Sequence, residues 1–432
     1  MARKKMNHDN RAEDRISQLP DAIILHILSF LPTSIAVWTS LVSRRWRRMW
    51  TFLPVLNFVD SRDIPRFKGH EIPFFKGQYR REERNKFYKL VDECLRRLSR
   101  ETTVSKFKLY MQYYYGCHSR IDAWFGSLEK HTVKELDVCL LPRSRGYKYF
   151  LSKIINNFKA LTLLKLSGLN LEFFVPTSLP SLEELYLNKI KMNDGVLDNL
   201  LRSFTSLKTL HIDRCWGLLD PKVSSSSLQY MEFTTNANDC YFYGCTIEIR
   251  AVNLHSFVRR GEFNYKKCGM TLFHCSNIRN LSLTEAYLTD RWLEDLIPEL
   301  PLLESLSLTN CYGFEHVNIW NGHLKHFVYT LSRRLDYSLA DATIDAPNLV
   351  SFSYSSYKLI DISVNAPNLL DADIEISDHP RKTYDLEWYA TLIKFLSEFK
   401  SAKSLRVFCS HEKVLIYICT SILSFFHVVS SF

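Results

Sequence analysis

The sequence predicts an α/β fold: a short three-helix module at the N-terminus, followed by a long array of repeated strand-and-turn units. Three observations carry that expectation. At 432 residues the chain is too long for one ordinary core. A dense apolar segment broken by prolines occupies Asp14–Phe58. Beyond Thr103 one short apolar phrase keeps returning, and from Leu161 to Leu369 its starts fall 20 to 26 residues apart. With 46% hydrophobic and 24% charged residues, the composition is that of a folded globular chain rather than a disordered one.

The helices come first. Pro20 stands where a helix begins, and its missing N–H is one that the first turn leaves unpaired anyway. Behind it Ile23, Ile24, Leu25, Ile27, Leu28, Phe30 and Leu31 wrap nearly all round the helix instead of keeping to one face. Leu31-Pro32 stops it, and Thr33 or Ser34 is placed to cap a second helix carrying Ile35, Val37, Leu41 and Val42. A third short helix sets Trp46 and Trp50 four residues apart, on one side. About 45 residues is marginal for an independent core, so part of this apolar surface awaits a partner.

The same stretch carries a long ordered pattern: Asp14-Arg15-Ile16-Ser17, Leu19-Pro20-Asp21, Ile24, Ile27-Leu28-Ser29-Phe30-Leu31-Pro32, Ala36-Val37, Thr39-Ser40 and Val42-Ser43-Arg44-Arg45-Trp46, ending at Trp50. It resembles the F-box, the adaptor-binding module of SCF-type ubiquitin ligases, and most of all the plant F-box proteins that continue into leucine-rich repeats. One departure is Ile35, where such sequences usually carry a polar residue. The resemblance implies that Leu19, Pro20, Ile24, Ile27, Leu28, Leu31, Pro32, Val37, Leu41, Val42, Trp46 and Trp50 carry binding to a Skp-type adaptor. The competing reading is a helical cap that buries its aromatics against the next domain.

The formal charge of +10 suggests nucleic acid at first sight, but its placement argues against that. Residues 1–100 hold 21 Lys/Arg and 11 Asp/Glu, whereas the other 332 residues hold 35 of each. The excess surrounds the F-box-like segment, and in the resembling family the adaptor is acidic, so electrostatic steering of that partner is the simpler account. Arg3-Lys4-Lys5 offers a weak nuclear address. The eleven cysteines include no C-x-x-C pair. Cys240, Cys245, Cys268 and Cys275, with His274, lack metal-ligand spacing, so no metal and no cofactor is expected. Unpaired core cysteines and a polar N-terminus point to a reducing compartment, cytoplasmic and/or nuclear. The sequon at Asn280 falls within a repeat strand.

A basic connector over residues 59–81 leads into a helix from Glu82 to Ser99. Its stripe is Phe87, Leu90, Val91, Cys94, Leu95 and Leu98, and its expected role is to cap the hydrophobic end of the array. The repeated phrase is an apolar residue followed by others three and five residues later. It occurs as Val104/Phe107/Leu109, Val133/Leu136/Val138, Leu161/Leu164/Leu166, Leu182/Leu185/Leu187, Leu207/Leu210/Ile212 and Leu228/Met231/Phe233. It continues as Ile278/Leu281/Leu283, Leu303/Leu306/Leu308, Leu324/Phe327/Tyr329 and Leu349/Phe352/Tyr354, with Leu254/Phe257 and Leu369/Ile374 as weaker copies. That period identifies a leucine-rich-repeat solenoid with parallel strands on its concave face and short helices and loops on its convex face. Asn193–Phe204 and Asp290–Leu300 are the better helices of the convex side, the second opening on an Asp cap. Cys215 and Cys311 follow the last strand anchor by three residues and are placed to bond the turn backbone. Ile190, Leu169 and Ala286 hold the equivalent place elsewhere.

Side chains between the anchors are expected on the concave surface: Glu183, Glu184, Tyr186, Lys208, His211, Tyr230, Glu232, Arg279, Ser282, Glu304, Lys325 and His326. Their mixed character suits a protein or peptide partner. No catalytic motif stands out, and neither His211 near Cys215 nor His411 beside Glu412 has a positioned third group. At the C-terminus an amphipathic helix over Trp388–Phe399 and a strand at Ser404–Phe408 precede Val414–Phe432, nineteen residues without Asp, Glu, Lys or Arg. That length suits a membrane anchor, or a truncated end where the family's C-terminal FBD domain would follow. The expected organisation is residues 1–13 as a flexible basic N-terminus, 14–58 as F-box, 59–103 as connector and capping helix, 104–412 as repeats and 413–432 as an apolar tail. The expected function is the substrate-recognition subunit of a cullin–RING ligase, non-catalytic, with an unidentified protein target. The alternative is a repeat scaffold with no ligase role.

Overall fold

Proline, not a polar side chain, starts each of the first two helices. The computed structural model describes residues 18–39, 43–60, 81–98, 103–142, 148–235, 246–261, 269–332, 339–377 and 386–409. In it α1 (Asp21–Ser29) begins after Pro20 and α2 (Thr33–Trp38) after Pro32, and neither has a side-chain cap. The expected Thr33 cap is replaced by another bond. Thr33 is buried, and its Oγ1 accepts the Asn57 N–H at 2.6 Å, tying α2 to the chain that follows. Helix α3 (Arg44–Met49) is capped by Ser43, whose Oγ accepts the Trp46 N–H at 3.3 Å, and Trp50 then opens a single 3-10 turn. Arg45 Nε donates to Asp21 at 2.7 Å and joins α3 to α1. Ile24, Leu28, Ala36, Trp46, Met49 and Trp50 form the core of the module.

The chain divides into two compact units, Met1–Leu169 and Asn170–Phe432. In the first, strand β1 (Val55–Val59) closes the segment read from sequence as F-box, yet it pairs in parallel with β2 (Lys106–Tyr113). Helix α4 (Arg81–Arg97) lies between these strands in the chain, so it belongs to the first strand–helix–strand coil, next to the sheet's edge strand β1. It packs on α5 (His118–Leu128), where Trp124 Nε1 donates to Asp92 at 2.7 Å and Tyr88 meets Trp124 edge-on. Its buried stripe is Tyr88, Val91, Cys94 and Leu95, while Phe87, Leu90 and Leu98 stay half exposed, contrary to the sequence reading. Strands β3 (Glu135–Pro142) and β4 (Leu163–Ser167) complete this unit's parallel sheet in the order β1-β2-β3-β4.

The second unit runs through β5 (Glu184–Asn188), α6 (Asp194–Ser203), β6 (Thr209–Asp213), β7 (Lys222–Ser224), β8 (Tyr230–Thr234), β9 (Ile247–Arg250) and β10 (Ser256–Arg260). Then come β11 (Met270–Phe273), β12 (Asn280–Thr284), α7 (Asp290–Glu299), β13 (Ser305–Thr309), β14 (His316–Trp320), β15 (His326–Thr330) and β16 (Asp341–Asp345). It ends with β17 (Ser351–Ser356), β18 (Asp361–Asn365), β19 (Asp371–Ile376), α8 (Leu386–Ser397) and β20 (Ser404–Cys409). Its main sheet is parallel throughout, in the order β5-β6-β8-β10-β12-β13-β15-β17-β19-β20. In β5, β6, β8, β12, β13, β15 and β17 the strand starts two residues after the first apolar residue of the phrase, and its second and fourth residues are the two remaining anchors. Those side chains share one face and stack with the next repeat, so the core is continuous.

On the other side of the coils the structure departs from the expected helices and loops. Helix α6 is followed by β7, β9 and β11, and α7 by β14, β16 and β18, each trio forming a small parallel sheet. Asn193 Oδ1 caps α6 by accepting the Val196 N–H, and Thr289, not Asp290, caps α7. Asp194 and Asp290 reach forward instead. Asp194 accepts the N–H groups of Leu219 and Asp220, and Asp290 those of Glu315 and His316, so the helix of one repeat clamps the loop of the next.

The turns leaving five of the main strands use a left-handed residue: Gly168 after β4, Lys189 after β5, Arg214 after β6, Glu285 after β12 and Asn310 after β13. The thiols of Cys215 and Cys311 bond backbone as expected, though of the preceding strand and not of the turn, donating to Leu187 O in β5 at 3.4 Å and to Leu283 O in β12 at 3.3 Å. At Gly168 a Cβ would lie 2.5 Å from Leu140 O in addition to meeting φ +77°. Gly168→Ala is therefore expected to cost at least about 1–2 kcal/mol, the left-handed penalty alone. Lys189→Gly, which relieves that penalty but adds chain entropy to the unfolded state, is expected to gain about 0.5 kcal/mol net. Urea titration of both variants checks the opposite signs.

Candidate functional site

Two surfaces stand out, one in each unit. In the helical module the near-circumferential apolar pattern of α1 resolves into two faces. Ile24 and Leu28 point inward, while Ile23, Ile27 and Phe30 (74% exposed) point to solvent. On α2, Ile35 and Trp38 (69% exposed) extend the apolar surface. Among the residues expected to dock an adaptor, Ile24, Leu28, Trp46 and Trp50 are interior and hold the module's shape. Ile27, Pro20 and Pro32 are exposed, and Leu19, Leu31 and Val37 are half-buried. Leu41 and Val42 lie outside the described residues, as does Asp14–Ser17. Sequence reading did not include Ile23, Phe30, Ile35 and Trp38 among the docking residues; their exposure emerges only once Ile24 and Leu28 of α1 and Thr33 and Ala36 of α2 are packed inward.

In the second unit the register aligns Tyr186, His211 and Glu232 in one row across β5, β6 and β8. Tyr186 and His211 stack with ring centroids 4.3 Å apart and planes 10° from parallel, and Tyr230 lies 5.1 Å from His211. His211 Nδ1 is 3.2 Å from Glu232, which also accepts Arg260 Nε at 2.7 Å and the Tyr230 hydroxyl at 3.2 Å. Tyr186 donates to Glu184 at 2.9 Å. Burial first, and that bond second, push the Tyr186 phenol up to about 12. A phenol whose folded pKa exceeds its unfolded value of about 10 stabilises fully below that value and loses the contribution as pH rises toward 12. Ultraviolet titration is therefore expected to show one phenolate forming near pH 12 that is absent from Tyr186→Phe.

The remaining residues proposed for this surface sit elsewhere. Glu183, Lys208, Arg279, Glu304 and Lys325 each follow the first anchor directly and precede the strand, at the edge of the sheet. There they neutralise one another. Lys208 Nζ reaches Glu183 at 2.8 Å, and Glu304 accepts Arg279 Nη1 at 2.9 Å and Lys325 Nζ at 3.0 Å. Beyond Glu232 the middle row of the sheet is small or aliphatic, Val258, Ser282, Ser307, Val328 and Ser353. Asp373, paired with Arg406, closes that row. An aromatic and charged end thus adjoins a low floor, an arrangement that can hold a protein segment.

Among the described residues no group of three or more His, Cys, Asp and Glu side chains is placed to hold a metal. Burial pushes the thiols of Cys94 and Cys311 up to about 12, so they are protonated and poor nucleophiles. Cys240, Cys245, Cys268, His411, Glu412 and the tail Val414–Phe432 lie outside the described residues. Among those that are described, no helix is long and apolar enough to cross a membrane.

Comparison with known proteins agrees with this geometry. Residues 16–58 match the F-box domain, and residues 121–272 match the family described as "FBD-associated F-box protein At5g56370, LRR repeats". An F-box/LRR-repeat protein of Arabidopsis thaliana, At4g00320, is 33% identical over 219 residues, covering 49% of this chain and 41% of the relative. F-box/LRR-repeat protein At3g59190 of the same plant is 33% identical over 198 residues, covering 45% and 47%. F-box protein At3g59000 is 31% identical over 232 residues, covering 52% and 45%. Each match spans less than half the length of these relatives. A three-helix F-box followed by parallel leucine-rich repeats defines the class as F-box/leucine-rich-repeat. Over the matched stretches the chain is similar to the plant proteins of that class. Such proteins are in general non-catalytic adaptor subunits, and neither domain match indicates a catalytic domain.

Proposed function

We infer that this chain is the substrate-recognition subunit of an SCF-type cullin–RING ubiquitin ligase. Its F-box docks a Skp-type adaptor, and its repeats hold a protein for ubiquitination. The observation that carries the reading is the exposed apolar surface of α1 and α2, Ile23, Ile27, Phe30, Ile35 and Trp38, on a module whose core is already filled by Ile24, Leu28, Trp46 and Trp50. Exposed aromatic and branched residues of that density are costly in water and mark a docking face. Ligase action through such a subunit needs no active site in this chain, because holding the target beside the recruited enzyme supplies proximity. The target face is the sheet surface around Tyr186, His211 and Tyr230. A cytoplasmic and/or nuclear location accords with seven described cysteines, all buried and none in a disulfide. The test is co-purification with a plant Skp-type adaptor. Wild type should recover it and Leu19→Ala/Pro20→Ala should lose it, since Pro20 starts α1 and presents the docking face. Equal recovery, or none by wild type, rejects the ligase reading in favour of a scaffold.

A further inference from the structure

Within the N-terminal unit a groove with a volume of about 1030 Å³ opens between α2, β1 and α4. Its apolar lining comes from Trp38 of α2, Phe58 and Val59 of β1, and Phe87 and Leu90 of α4. Those two α4 residues stand half exposed while the helix buries Tyr88, Val91, Cys94 and Leu95 on its other side. Trp38 belongs at once to this groove and to the exposed face of α1 and α2, so the two surfaces are continuous.

The charges at the rim are unequally satisfied. Of the three carboxylates that line the groove, Asp60 is buried, Asp92 accepts Trp124 Nε1 at 2.7 Å, and Glu93 pairs with Arg96 at 2.8 Å and Arg97 at 2.5 Å. Lys86 and Lys89, by contrast, make no ion pair or hydrogen bond among the described residues. The rim therefore presents two ammonium groups beside an apolar trough, which fits an extended segment carrying carboxylates and at least one large apolar side chain.

We propose that this groove extends the adaptor-docking surface beyond the F-box, and that it seats an acidic segment of the adaptor. The proposal rests on the F-box reading above. In the bound state Lys86 and Lys89 face carboxylates of that segment, and an apolar side chain fills the space between Trp38, Phe87 and Leu90. The first repeat thereby shares in adaptor binding, which gives α4 a role besides packing on α5.

The experiment measures the dissociation constant of the full chain for a purified plant Skp-type adaptor, for wild type, Lys86→Glu/Lys89→Glu and Phe87→Ala/Leu90→Ala. Thermal unfolding of each is recorded in parallel. Lys86→Glu/Lys89→Glu should weaken binding about tenfold at low salt, with the deficit shrinking as salt rises to ~0.5 M, because exposed charges are screened. Phe87→Ala/Leu90→Ala should weaken it about fivefold or more at either salt. If wild type binds and both variants bind as tightly, the groove is no part of the interface, whatever else occupies it, and the proposal falls while the F-box reading stands. If wild type itself does not bind, both fall. The lysine variant alters exposed side chains only, so it decides the matter even if the apolar variant proves unstable.

Discussion

Trp50→Ala is expected to unfold the F-box. Trp50 is 1% exposed and among the largest fully buried side chains of the molecule. Truncating a buried tryptophan costs about 3–5 kcal/mol, and so small a module has little stability to lose. Its indole Nε1 is buried with no hydrogen-bond partner among the described residues. Trp50→Phe removes that unpaired donor along with part of the ring, so it should lose clearly less than alanine. Limited proteolysis around residues 18–58 and chemical unfolding together read the difference. Equal losses would mean that the unpaired N–H carries no penalty.

Arg259→Leu is expected to stabilise the repeats. Arg259 occupies the third anchor of the phrase that starts at Leu254, with Phe233 and Leu283 as its neighbours in register. It is 3% exposed, and its Nε has no partner among the described residues. Replacing a buried charge by a well-packed apolar side chain gains about 1–4 kcal/mol where no good partner exists. A lower urea midpoint for Arg259→Leu would show instead that the guanidinium is held by an anionic group, and the account of this position would be wrong.

Arg259 also shows where the sequence was legible and where it was not. The spacing of Leu254 and Phe257 marked a repeat with a missing third anchor, and the structure places a buried arginine there. The complete phrases were legible because burial is periodic and depends only on residues within one repeat. What escaped depends on neighbours many residues away. Glu183 and Lys208 look like binding residues in isolation and become an ion pair only once consecutive repeats stack. The strand at Val55–Val59 was absorbed into the F-box because the phrase Leu53/Leu56/Phe58 stands alone before a long connector. Convex strands such as β9 and β14 show alternation over only four or five residues, too short to separate from a loop without their parallel partners. In the F-box, helical spacing gave the apolar residues, but separating the inward Ile24 and Leu28 from the outward Ile27 and Phe30 required the packing of Trp46 and Trp50 behind them.

The outward face of α1, separate from its buried side, can be altered without touching the core. Ile27→Asp/Phe30→Asp places two charges on the exposed face of α1 while leaving Ile24 and Leu28 in the core. Its dissociation constant for a plant Skp-type adaptor should rise by about a hundredfold or more, the effect of removing two central apolar anchors. Its thermal unfolding should match wild type. An unchanged dissociation constant in a folded variant would contradict the assignment of this face to the adaptor.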